Sequence, residues 1–104
     1  MLKNGEGVKV DKEEAIRLYK RSADLGNVKG MFNYALMLDN GDGIPMNKKE
    51  ALQYYKKAAD EGDDSSMFNY AITLFYGDGV TRDKKEAIKY YKKAIENESS
   101  NAMF

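Results

Sequence analysis

The chain contains no cysteine, no histidine and no tryptophan, and only one proline. Without cysteine there is neither a disulfide nor a thiolate metal site, and without histidine the commonest metal ligand and general base is missing. Much metal and acid–base chemistry is thereby set aside, and no cofactor or metal is expected. The cysteine-free composition also favours a reducing compartment such as the cytoplasm, because small secreted domains often rely on disulfides. Net charge is lacking too: 17 basic and 17 acidic side chains cancel, so no positive field exists to hold a nucleic-acid backbone or an anionic membrane. No apolar run approaches the roughly 18 residues of a membrane span, and the opening MLKNGEG lacks the apolar core of a signal peptide. Nucleic acid and membrane are therefore not expected partners. At 104 residues an ordinary globule buries a modest fraction of its surface, so stability must come from packing of neighbour on neighbour.

What the chain does contain is the same text written three times. KKEALQYYKKA (residues 48–58) returns as KKEAIKYYKKA (84–94), with a blurrier copy, KEEAIRLYKRS, at 12–22. Ala15, Ala51 and Ala87 fall on one 36-residue step, as do Tyr19, Tyr55 and Tyr91, and Gly5, Gly41 and Gly77. A fixed period in this range marks a stacked-repeat protein.

One period reads as two helices. In NKKEALQYYKKAADEG, Ala51, Leu52, Tyr55, Ala58 and Ala59 keep the rhythm of a single helical face. This segment is helix B. Its start is marked by Asp11/Glu14, Asn47/Glu50 and Asp83/Glu86, the spacing of a capping box. Gly26 and Gly62 supply the left-handed residue that ends a helix, whereas the third copy has Asn97 and Glu98 there, a weaker stop. The other half, VKGMFNYALMLDNGDG, is a shorter helix A with Met31, Tyr34, Ala35 and Leu38 on its apolar face, copied as Met67, Tyr70, Ala71 and Leu74. Asn27, Asp63 and Ser99 are the corresponding N-caps. The A–B loop reads GEGVKVD, GDGIPMN and GDGVTRD; Gly7, Gly43 and Gly79 permit a positive φ, and Val8, Ile44 and Val80 turn inward. Two such helices form an αα-hairpin.

These residues resemble the Sel-one-like repeat family, a relative of the tetratricopeptide repeats. The copy most like the family pattern comprises Gly30, Tyr34-Ala35, Leu38, Gly41, Gly43-Ile44, Glu50-Ala51, Tyr54-Tyr55, Lys57-Ala58-Ala59 and Gly62. Relative to that pattern Tyr34 and Tyr70 stand for Leu, Ala35 and Ala71 for Gly, and Leu38 and Leu74 for Tyr, coupled size exchanges within one packing layer. The resemblance spans essentially the whole chain. It implies an all-α, right-handed α/α superhelix, a solenoid of helix-turn-helix repeats whose helix A row lines a concave surface. It also implies a scaffold or adaptor that binds a protein or peptide. The expected organisation is a partial repeat (1–26), two full repeats (27–62 and 63–98) and the opening of a further helix A (99–104).

Most of the tyrosines, Tyr19, Tyr34, Tyr55, Tyr70 and Tyr91, belong to the expected buried faces. The lysine pairs at Lys48, Lys56, Lys84 and Lys92 interleave with Glu50, Asp60, Glu61 and Glu86 on a solvated helix. Asp42 and Asp78 are single carboxylates whose spacing fits neither a P-loop nor an EF-hand. Asn33 and Asn69 interrupt an identical MFNYA and point away from the buried set. Along their line lie Met37 and Asn40 in one repeat, Thr73 and Tyr76 in the next. Amides at equivalent positions can fix the backbone of an extended peptide, leaving Met37, Thr73 and Tyr76 to select its side chains; the alternative is an Asn tolerated in solvent or bonded between adjacent A helices. No acid–base pair lies outside the repeated framework, which disfavours an enzyme. The alternative to a binding module is a structural spacer in a larger protein.

Met1-Leu2 aligns with Met37-Leu38, and residues 99–104 with 63–68, as in a window from a longer solenoid. The expectation is weak head-to-tail self-association, with the Leu18/Tyr19 surface receiving Met103 and Phe104 of another molecule.

Overall fold

The computed structural model describes the backbone of residues 4–102 and the side chains of residues 12–98. Within them lie five helices and no strand: α1 (Asn4–Asp24), α2 (Val28–Asn40), α3 (Lys48–Asp60), α4 (Asp64–Tyr76) and α5 (Lys84–Ala102). Each packs on its neighbours in the chain, so α2–α3 and α4–α5 are stacked αα-hairpins of a right-handed α/α superhelix measuring 48 × 36 × 24 Å. No helix among the described residues is long and apolar enough to cross a membrane. Helix A is not shorter than B in the complete hairpin, since α2 and α3 each run 13 residues.

The period-derived faces form the core. Met31, Tyr34, Ala35 and Leu38 of α2 are buried, as are Met67, Tyr70, Ala71 and Leu74 of α4, and Ala51, Tyr55, Ala58 and Ala59 of α3. The small residues let the helices approach closely, and the aromatics fill what is left. Tyr34 meets Tyr54 edge-on at 5.0 Å, and Tyr70 meets Tyr90 in the same way at 4.7 Å. Tyr91 departs from its expected place: Tyr90 is buried and Tyr91 half-buried, as is Tyr19. Tyr55 is enclosed because it packs near Phe32 and donates to Asp39 Oδ2 at 3.3 Å. The position equivalent to Asp39 is Phe75, so Tyr91 has no such acceptor and rests on Phe68 at 5.9 Å.

Helix starts follow the sequence, with one change of partner. Asn27, Asn47, Asp63 and Asp83 accept from the N–H three residues on, at 2.9, 3.0, 3.0 and 3.1 Å. The return arm of the capping box is replaced, because the N–H groups of Asn47 and Asp83 donate to the carbonyls of Leu38 and Leu74, both at 2.9 Å. Glu86 is thus free to accept from the Tyr70 hydroxyl at 2.7 Å.

The first and third copies depart from the expected boundaries. α1 begins at Asn4, so Gly5, Gly7 and Val8 lie within a helix and Asp11 is no N-cap. In the other copies the turn is closed from outside by the Leu38 or Leu74 carbonyl; the equivalent residue, Leu2, lies outside the described residues. α5 runs through Asn97 and Glu98 to Ala102, which places Ser99 inside a helix rather than at the cap of a new one. Gly26 and Gly62 reverse the chain at φ +93° and +101°. Glu98 carries a Cβ that disfavours such angles, and helical propagation continues.

Two polar latches join successive repeats. Lys12 Nζ lies 2.6 Å from Asp42 Oδ1, and Lys48 Nζ lies 3.0 Å from Asp78 Oδ2, each lysine reaching the A–B loop of the next repeat. In the opposite direction the Tyr90 hydroxyl donates to Asp60 Oδ1 at 2.7 Å. Lys48 is therefore not the solvated lysine expected from its charged surroundings: it is half-buried and also bonds Asp39 Oδ1 at 2.9 Å. Lys56 does lie on an exposed face, 3.6 Å from Asp60.

Candidate functional site

A cavity of about 580 Å³ opens on the helix A side of the solenoid. Its walls are Asp39 from the last turn of α2, Asn69, Ile72, Thr73 and Tyr76 from α4, and the Gly77–Gly79 turn that follows. The i, i+4, i+7 spacing puts Asn69, Thr73 and Tyr76 on one stripe of α4. Leu74 and Tyr70 face the other way into the core, which fixes the rotation of that stripe.

Three of the six expected contact residues, Asn69, Thr73 and Tyr76, thus come together around one cavity. Asn33, Met37 and Asn40 share the equivalent stripe of α2 but do not line it. Asn33, Met37, Asn69 and Thr73 are half-buried, Asn40 is exposed, and Tyr76 is 71% exposed. Thr73 Oγ1 donates to the Asn69 carbonyl at 2.7 Å, so its proton is spent within the helix. Among the described residues no side-chain hydrogen bond engages the Asn33 or Asn69 amide, and no bond between adjacent A helices consumes them.

Asp39, Ile72 and Asp78 were not anticipated at this site. Asp39 Oδ1 takes the Lys48 ammonium and Oδ2 the Tyr55 hydroxyl. The bond to Asp39, with that to Asp78, raises the Lys48 pKa above its ordinary value. Burial first, and then the Asp39 charge, push the Tyr55 phenol well above the usual range. The lysine stem crosses the loop at Gly79, where an added Cβ would lie 2.6 Å from Lys48 Cδ and 2.9 Å from its Cβ. The second glycine of the GDG loop therefore serves two ends, its positive φ of +74° and a passage for the latch. The sequence offered one signal for Asp39: it interrupts an apolar helix end where the next repeat has Phe75.

The Sel1 repeat family matches residues 1–27, 28–63 and 64–99, successive spans on the 36-residue period. Among solved structures, a Sel1 repeat protein from Oxalobacter formigenes is similar at 30% identity and a TM-score of 0.75, over 79% of this chain and 34% of that one. A protective antigen of uropathogenic Escherichia coli with an SLR fold shares 32% identity at a TM-score of 0.72, over 75% of this chain and 17% of the antigen. Helicobacter pylori cysteine rich protein B shares 24% identity at a TM-score of 0.79, over 88% and 69% of the two chains, a likeness of fold alone. The chain spans about a third of the first of these proteins and less than a fifth of the second. No curated protein matches it. In this cysteine-free chain, lysine–aspartate and tyrosine–aspartate latches join the repeats.

Proposed function

Since the chain belongs to the Sel1 repeat family, whose members are generally protein-interaction modules on a typically non-enzymatic scaffold, we propose that it binds a protein or peptide on its helix A surface. The residues that carry the contact are Asn33, Met37, Asn40, Asn69, Thr73 and Tyr76. What supports this reading is the cavity that gathers Asn69, Thr73 and Tyr76, with no side-chain hydrogen bond to the Asn69 amide among the described residues. A side-chain amide offers both a donor and an acceptor, which matches one peptide unit of an extended strand. Asn33 repeats the offer one repeat earlier. A stack of hairpins provides an elongated surface on which such repeated contacts add.

The test is selection of random displayed peptides on the immobilised protein, followed by affinity measurements. Asn33→Ala with Asn69→Ala should leave melting nearly intact and weaken selected peptides at least about tenfold, equivalent to roughly 1.4 kcal/mol. A surface that selects nothing would favour the structural spacer, and equal binding by the double variant would place the contact elsewhere.

A further inference from the structure

We infer that the groove recognises its peptide through a cationic side chain, a guanidinium or ammonium seated between the Tyr76 ring and the Asp78 carboxylate. The inference rests on the binding reading above and specifies the chemistry of the occupant. Its basis is the charge of the cavity, whose walls carry two carboxylates, Asp39 and Asp78, and no cation. The two acids differ in what they have left to offer. Asp39 has an internal donor on each oxygen, Lys48 on one and Tyr55 on the other. Asp78 gives one oxygen to Lys48 at 3.0 Å, and its side chain is 63% exposed. Lys48 offsets one of the two charges, so the cavity retains a negative charge and, on Asp78, a solvent-exposed carboxylate acceptor. Of the neighbouring cations, Lys84 Nζ lies 5.4 Å from the Phe75 ring centroid, and Arg82 stands beside Gly77 with its backbone and Cβ without lining the cavity.

Tyr76 supplies the second half of the seat. Tyr76 is 71% exposed and meets Phe75 in a T-shaped pair at 5.1 Å, which covers at most one of the two faces of its ring. An aromatic face attracts a cation through its quadrupole, and a carboxylate nearby adds hydrogen-bond acceptors for the same group. Arginine suits both, because its planar guanidinium stacks on a ring while its edge donates to a carboxylate. Ile72, 42% exposed on the same wall, gives the aliphatic stem an apolar surface. An acidic peptide would bring like charge against Asp39 and Asp78 and is selected against.

The test uses three probes, N-acetyl-arginine N-methylamide and its glutamate and leucine counterparts, titrated into the full chain labelled with nitrogen-15. The signals to follow are the Asn69 side-chain amide and the backbone amides of Gly77 and Gly79. The arginine probe should shift them saturably and the glutamate probe should not. Asp78→Asn should weaken the arginine probe about tenfold. Because that variant also loses the Lys48 contact, Tyr76→Ala serves as a second test that leaves the latch in place, and it should weaken the probe as well. Equal shifts from all three probes would overturn the cationic seat while leaving the peptide-binding reading standing. So would wild-type affinity in both variants, or silent probes on a protein whose selected peptides still bind. Silence from probes and selected peptides alike would remove both readings.

Discussion

Replacing Gly79 by alanine tests the latch between repeats. Gly79 sits at φ +74°, where an L side chain costs about 1–2 kcal/mol. The new methyl would also lie 2.6 Å from Lys48 Cδ, 2.9 Å from its Cβ and 3.3 Å from its Cγ, so the lysine stem must leave its path. Lys48 then releases Asp39 and Asp78, part-exposed ion pairs worth up to about 1 kcal/mol each. The total is about 1–4 kcal/mol, with each kcal/mol lowering the melting temperature by roughly 4–8 °C in a domain of this size. The decisive assay is a double-mutant cycle by thermal and urea denaturation, with Lys48→Gly removing all three crowded atoms. Backbone strain at position 79 is present in both backgrounds, whereas the clash and the lost latch occur only where Lys48 is present. Gly79→Ala should therefore cost about 1–2 kcal/mol less in the Lys48→Gly background. Additivity to within about 0.5 kcal/mol would refute the latch and leave Gly79 as a turn residue only.

Ala51 and Ala87 are 1% and 0% exposed where neighbouring helices meet, so Ala51→Leu or Ala87→Leu should destabilise by roughly 1–3 kcal/mol through overpacking. Unchanged urea midpoints would show that this seam can open. Stability should fall as pH rises past about 10, because Tyr55, Tyr70 and Tyr90 keep their protons in the folded state when unfolded phenols have lost theirs. All three are raised chiefly by burial, assisted by Asp39, Glu86 and Asp60 respectively. Their contribution is complete below the ordinary phenol pKa and is lost toward the raised one. Lys48, raised by Asp39 and Asp78, acts in the same direction. Urea midpoints that stay level or rise between about pH 8 and 11 would contradict this assignment.

Features carried by local chemistry were legible in the sequence. Met31, Tyr34, Ala35 and Leu38 could be assigned to one face because helical periodicity depends only on spacing, and their copies repeat it. Asn27, Asn47, Asp63 and Asp83 were readable as caps because a cap acts within three residues. What stayed hidden depends on residues far apart in the chain. Nothing within YYKKA says that Tyr90 is enclosed and Tyr91 less so, since that is decided by Asp60, Tyr70 and Phe75 on other helices. Lys48 reads as one more surface lysine until Asp39 and Asp78 are brought beside it. At the site, the stripe Asn69, Thr73 and Tyr76 followed from helical geometry. The acidic side of the cavity did not, because Asp39 comes from a different repeat. Leu18 is 56% exposed, but Met103 and Phe104, its expected intermolecular partners, lie outside the described residues.

The most direct test of the account is to locate a bound peptide. Nitrogen-15 spectra of the full chain, recorded during titration with the tightest selected peptide, report every amide at once. Shifts should concentrate on the side-chain amides of Asn33 and Asn69 and on the backbone from Thr73 to Gly79. Shifts confined to the exposed lysine faces of α3 and α5, with the Asn69 amide unmoved, would contradict it.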